Sequence, residues 1–239
     1  MIELINVNKD YDNGVKAINN LNLKIEQGEF AYLVGPSGAG KSTLIKLLYR
    51  QIQPTSGQIL VNDFNLNTIV DKDIPTLRRT LGVVFQDFKL LPRLTVFENV
   101  AYALRVTETP EEQIPELVNK VLDMVGLKER ANMFPNQISG GEQQRIAIAR
   151  SIVNKPRVLI ADEPTGNLDP NTTEDIVNLI EQINQSGTTI LMATHNQEIV
   201  DKHVHRVIEI EHGVKIRDEE GGNYINENLN NQVSHQGKF

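Results

Sequence analysis

Gly35-Pro-Ser-Gly-Ala-Gly-Lys-Ser-Thr43 follows the apolar run Phe30-Ala-Tyr-Leu-Val34 and leads into Leu44-Ile-Lys-Leu-Leu48. That order predicts a strand, a glycine-rich turn and a helix. Gly35, Gly40, Lys41 and Ser42 fit the spacing G-x-x-x-x-G-K-[ST] of a phosphate-binding loop. The glycines let the backbone turn tightly and bring N–H groups close to a polyphosphate, while the following helix points its positive end at the same place. Lys41 then reaches the outer phosphates and the Ser42 hydroxyl can ligate Mg2+. Average residue frequencies produce this four-position pattern in about one chain in a hundred of this length. The strand before it and the helix after it make a chance match rarer still, so the stretch reads as a nucleotide site.

The chain has 239 residues, which suits one α/β domain or one domain with a substantial insertion. Hydrophobic residues make up 39%, enough for a sizeable core, and there is no cysteine for a disulfide or a thiolate metal site. The N-terminal residues Met1-Ile-Glu-Leu-Ile-Asn6 lack the basic and apolar regions of a signal peptide. No apolar stretch approaches the roughly 20 residues needed to cross a bilayer. We therefore expect a soluble, cytoplasmic protein whose membrane role, if any, requires a partner chain. A formal charge of −7 argues against a nucleic-acid partner, which calls for a basic face.

Outward from the loop, residues 2–7 and 21–25 alternate apolar and polar as half-buried antiparallel strands do. Between them Tyr11 sits in a turn, either as a surface residue or as a platform for a purine ring. Strands are expected at Gln58–Asn62 and Gly82–Phe85, the latter beside the phosphate loop, so that Gln86 is either a loop residue or a sensor of the γ-phosphate or its metal. From 88 to about 155 the pattern is helical: Thr95 caps a helix over 96–104, and a second amphipathic helix runs from Glu111 to Val125. The segment Asp87–Leu94 places large apolar residues in a loop, for core packing or for a partner's helix. Ser139-Gly140-Gly141 enters a helix over 146–153, as a cap or as a second anion site. Arg157–Ala161 reads as a buried parallel strand ending in Asp162-Glu163, carboxylates that are either solvated or suited to Mg2+ and to a general base. A helix over about 172–184 and a strand over 188–193 follow, delivering Thr194-His195, where a structural histidine and a γ-phosphate contact are both open. A strand over 205–210 and the turn Glu211–Gly213 finish the sheet. Residues 221–239 read as a disordered polar tail.

These motifs, in order, resemble the ATP-binding cassette ATPases over residues 1 to about 218. The resemblance rests on Tyr11, the loop at 35–43, Gln86, the signature Ser139-Gly-Gly-Glu-Gln143, Asp162-Glu163, Asn167-Leu-Asp169 and His195. The signature is introduced by Ile138 where leucine is commoner, a conservative departure. It implies an α/β fold: a P-loop NTPase (RecA-like) core with an N-terminal antiparallel β subdomain and an inserted α-helical subdomain at about 88–155, within an ATP-binding domain spanning 1–220. It also implies a head-to-tail homodimer in which each ATP lies between one chain's phosphate loop and the other chain's signature. ATP contacts would come from Tyr11, Gly35, Pro36, Ser37, Gly38, Ala39, Gly40, Lys41, Ser42, Thr43 and Gln86, and from Ser139, Gly140, Gly141, Glu142, Gln143 and Asp169. Ser42, Gln86 and Asp162 would hold Mg2+. Glu163 would polarise the attacking water while His195 and Lys41 stabilise the phosphoryl group.

The turn Gly166–Asp169 and the compact length resemble the group containing cell-division, lipoprotein-releasing and macrolide-export ATPases. Within it, Val84–Val100, the opening Ile2–Val7 and Tyr11 look most like the cell-division branch. That likeness implies an integral membrane partner gripped by the stretch from Phe88 through Tyr102. The output would be mechanical, activating peptidoglycan hydrolases from the cytoplasmic face of a bacterial membrane at the division septum. A lipoprotein-releasing or macrolide-export ATPase is the alternative. Soluble cassettes acting on DNA or ribosomes carry a long coiled-coil insertion or a second cassette, and neither is present.

Overall fold

The computed structural model describes residues 1–224. In chain order its elements are β1 (Ile2–Asp10), β2 (Lys16–Ile25), β3 (Phe30–Val34), α1 (Lys41–Leu48), β4 (Ser56–Val61), β5 (Phe64–Asn65), α2 (Ile74–Arg79) and β6 (Leu81–Val84). There follow α3 (Val96–Val106), α4 (Ile114–Met124), α5 (Gly140–Ile152), β7 (Val158–Asp162), α6 (Pro170–Gln185), β8 (Thr189–Ala193), α7 (Gln197–Lys202), β9 (Arg206–Glu211) and β10 (Val214–Glu219).

Two sheets form. The antiparallel sheet has the order β2-β1-β4-β5, and the larger sheet has the order β10-β9-β3-β8-β7-β6. In the larger sheet β9, β3, β8, β7 and β6 run parallel and only β10 is antiparallel. Strand β3 explains the layering. All five of its residues are apolar and buried, because it has a core on each face. Phe30, Tyr32 and Val34 face helices α3–α7, while Ala31 and Leu33 face α1 and the antiparallel sheet. Strands β7 and β8 divide the same way, with Leu159 and Ala161 on the helical side and Val158 and Ile160 on the other.

The register places the chemistry. Leu33 pairs with Ala193 and Ala193 with Asp162, while Val84 pairs with Ala161. The residues after these strands, the phosphate loop, Thr194-His195, Glu163 and Gln86, therefore emerge at one edge, the carboxyl ends of the parallel strands.

Four expectations are corrected. Strand β6 does not lie beside the phosphate-loop strand: it is the sheet's far edge, with β8 and β7 intervening, and Gln86 reaches the loop because its strand ends level with theirs. Helix α5 starts at Gly140 rather than 146, because Ser139 is its cap. The sheet does not finish at Gly213, since β10 follows as an edge strand, and α7 lies in a stretch read without structure. Of the tail, residues 221–224 are held to the body by hydrogen bonds from Arg217 and to Asp201. Residues 225–239 lie outside the described residues.

Candidate nucleotide site

The phosphate loop wraps the start of α1. Gly35 sits at φ +139°, and a Cβ there would lie 2.0 Å from the Ile210 carbonyl oxygen, so no side chain fits. Gly40, at φ +113°, is the N-cap of α1 and supplies no side-chain cap. The first amides of α1 therefore have no intrahelical partner and face an incoming anion. Lys41 Nζ donates to the carbonyls of Gly35 and Pro36 at 2.6 and 3.2 Å, which folds the ammonium back over the loop. The Tyr11 hydroxyl is 3.2 Å from Thr43 Oγ1, tying the aromatic to the loop. Lys9 Nζ lies 5.2 Å over one face of the Tyr11 ring.

A cavity of about 790 Å³ opens here, lined by Tyr11, Val15, Lys16, Ala17, the whole loop from Gly35 to Thr43, Gln86, Glu163, His195, His212 and Tyr224. Its volume suits a nucleotide-sized ligand. In its lining Glu163 Oε2 bonds to His195 Nδ1 at 2.7 Å and accepts the His195 backbone N–H at 3.3 Å. Glu163 sits at φ +50°, a left-handed conformation uncommon outside glycine and concentrated at functional positions. Its N–H is bonded to the Ala193 carbonyl, so the strained residue is fixed to the neighbouring strand.

The sequence profile described as "ABC transporter" matches residues 18–166. The chain belongs to the ABC transporter family. It is an ATPase by that membership, and curated relatives extend the match almost to full length. It is 59% identical over 224 residues to the cell division ATP-binding protein FtsE of Bacillus subtilis (strain 168), covering 94% of this chain and 98% of that one. FtsE of Mycobacterium tuberculosis is 50% identical over 225 residues, covering 94% and 98% respectively. Methionine import ATP-binding protein MetN 2 of Bacillus cereus is 42% identical, covering 91% of this chain and 66% of that one. Among solved structures, a dimeric ATP-binding cassette in a post-hydrolysis state bound to ADP and Pi superposes with a TM-score of 0.83 at 36% identity, covering 93% of this chain and 99% of that chain.

Other motif residues of the ABC chain stand apart from this cavity. Asp162 does not line it. Burial and then the charge of Glu163 push its carboxyl above the usual range, while Lys41 and Lys46 pull it back. Nor do Ser139, Gly140, Gly141, Glu142, Gln143 and Asp169 line it: they form the start of α5 and the cap of α6. Ser139 and Glu142 make a reciprocal capping box, with Glu142 also paired to Arg130 at 3.2 Å. Asp169 caps α6 by accepting the Thr172 N–H at 3.1 Å. A Cβ on Gly141 would meet Thr172 Cγ2 at 2.4 Å, so the signature glycine lets α5 approach the start of α6.

Three buried or half-buried polar side chains around the site carried no sequence signal. Gln144 donates to the Pro164 carbonyl at 2.7 Å, tying α5 to the turn after Glu163. Asn99, fully buried in α3, holds the backbone of Leu91, Leu94 and Thr95. Arg150 donates to the carbonyls of Phe88 and Lys89 at 2.9 and 2.7 Å, and both of those residues have positive φ. Asn99 and Arg150 thus fix the loop that follows Gln86 from two helices.

Proposed function

We propose that this chain is the ATP-driven subunit of a cell-division complex, working as a head-to-tail homodimer under an integral membrane partner that resembles FtsX. Closing and reopening of the dimer move that partner, which activates peptidoglycan hydrolases at the septum from the cytoplasmic face. The observation that carries the reading is the near full-length identity to FtsE proteins of several bacteria. The placement of the site residues supports the dimer: one chain presents a complete phosphate loop and hydrolytic pair, while its signature lies outside that cavity and is available to a second copy.

In this reading Tyr11 stacks the purine, the loop amides and Lys41 hold the phosphates, and Glu163 accepts the proton of the attacking water. Through Nδ1 the Glu163 carboxylate orients His195 and presents Nε2 to the phosphoryl oxygens. The Ser42 hydroxyl, Gln86 and Asp162 are hard oxygen donors of the kind Mg2+ takes, and bound Mg2+ would neutralise charge on the phosphates. Ser139, Gly140, Gly141, Glu142, Gln143 and Asp169 serve the partner's nucleotide. The stretch from Phe88 through Tyr102 contacts the membrane protein, with Leu90 and Phe97 packed on the core and Tyr102 half exposed.

Purifying the chain from membranes and identifying the bound permease tests the assignment. An FtsX-like protein is expected, and a permease for lipoprotein release or macrolide export would overturn it in favour of the transport reading. Glu163→Gln is expected to bind ATP, lose turnover and accumulate as a dimer, whereas undiminished hydrolysis in that variant rules out Glu163 as the base.

A further inference from the structure

Tyr224, the last described residue, lines the same cavity as Lys41, Glu163 and His195. Three hydrogen bonds fix its backbone there. Its N–H donates to Asp201 Oδ1 at 2.6 Å, its carbonyl accepts from Arg217 Nη2 at 2.6 Å, and the preceding Asn223 carbonyl accepts from Arg217 Nη1 at 2.7 Å. Arg217 is 8% exposed, faces inward from the edge strand β10, and is itself held through Nε by Glu209 at 2.9 Å. A buried guanidinium with a fixed fork leaves its acceptors little freedom. Tyr224 is partly buried against the helix-side core, and it shares the cavity's lining with the hydrolytic pair. Burial, and then the charges of Glu163 and Glu209, raise the phenol above its ordinary range, while Arg217 pulls it back.

We propose that Tyr224 is a positioning residue for hydrolysis, its ring walling the Glu163–His195 pair so that the chemical step depends on it and nucleotide affinity does not. The inference rests on the ATP-site reading above. It predicts that the ring matters and the hydroxyl does not. It also predicts that residues 225–239 are dispensable for the step and that the anchor at Asp201 matters although Asp201 does not line the cavity.

The experiment is steady-state ATP turnover by the full chain and its variants, with kcat and KM separated and ATP affinity measured alongside. Turnover of the unaltered chain tests the ATPase reading, and the ratio of variant to parent tests Tyr224. Tyr224→Ala is expected to lower kcat about tenfold at unchanged KM, as misplacement of a catalytic group does. Tyr224→Phe and removal of 225–239 are expected to leave kcat near the parent's. A parental kcat in Tyr224→Ala, or a raised KM at unchanged kcat, overturns the proposal, as does a Tyr224→Phe variant as slow as Tyr224→Ala. If Tyr224→Ala does not fold, Asp201→Ala carries the same expectation, and an unchanged kcat there overturns it.

Discussion

Asn99→Ala tests whether the loop after Gln86 is built by buried polar contacts. Asn99 Oδ1 accepts the Leu91 N–H at 2.8 Å, and Nδ2 donates to the carbonyls of Leu91, Leu94 and Thr95 at 3.1, 3.0 and 3.0 Å. The amide has two N–H groups, so its three donated contacts are worth two full bonds. With the accepted bond, removal loses three bonds at about 1 kcal/mol each, or about 3 kcal/mol in total. For a chain of this size that lowers Tm by roughly 6–12 °C. The measurement is a urea titration, in which the midpoint should fall while the m-value stays constant. ATP affinity should be unchanged, because Asn99 does not line the nucleotide cavity, while co-purification with the membrane partner should be lost. Asn99→Asp keeps the acceptor, removes the donors and buries a charge, so it should destabilise at least as much. A loss below about 1 kcal/mol in Asn99→Ala, against the three bonds counted, would refute this account of the loop.

Gly141→Ala places a methyl 2.4 Å from Thr172 Cγ2 and should destabilise by about 1–3 kcal/mol. Adding Thr172→Ser should recover most of it, and an unchanged unfolding midpoint in the single variant would contradict the close approach of α5 and α6. Tyr11→Ala should weaken ATP binding by about 1–3 kcal/mol in calorimetry if the ring stacks the purine, while Tyr11→Phe should stay near the parent. The pH dependence follows from Glu142, which the Ser139 N–H, then the Ser139 hydroxyl and Arg130, hold below its ordinary value of 4.5. Its folded value is depressed, so its contribution to stability is complete above the unfolded value and is lost as pH falls through the folded one. The difference in unfolding midpoint between the parent and Glu142→Gln should therefore narrow in acid, and a difference constant with pH would contradict the capping box.

Much of the site was legible because its residues end parallel strands. Fully apolar runs such as Phe30–Val34 and Val158–Ala161 mark strands buried on both faces, and whatever follows them emerges at the ligand edge. What was missed has physical causes. Strand β10 inverts the usual pattern: Val214 and Ile216 are 39% and 53% exposed, while Arg217 points inward, so its apolar residues do not mark a buried face and the sequence pattern ends the sheet at the preceding turn. Helix α7 has six residues, too few to show a period. Asn99 and Gln144 are single amides in amphipathic helices, and a spacing argument assigns such residues to the solvent face, although both are fully buried. Tyr224 sits in a polar, glycine-containing stretch, and only Arg217 and Asp201 reveal that its backbone is fixed. Strand β6 was misplaced because its neighbour in the sheet, β7, comes more than seventy residues later in the chain.

The bond from Gln144 to the Pro164 carbonyl bears on how two copies of the chain keep time. In the dimer proposed above, the start of α5 is the part a chain lends to its neighbour's nucleotide, and Glu163 is the part it keeps for its own. One buried amide staples the two together. In that proposed pair each protomer would be a crank with an end in each chamber, and a displacement at one ATP would be transmitted to the other without passing through the membrane. If the proposed pair is so coupled, ATP turnover should be cooperative in the parent, and Gln144→Leu, which removes the bond to Pro164, should lower the Hill coefficient towards one.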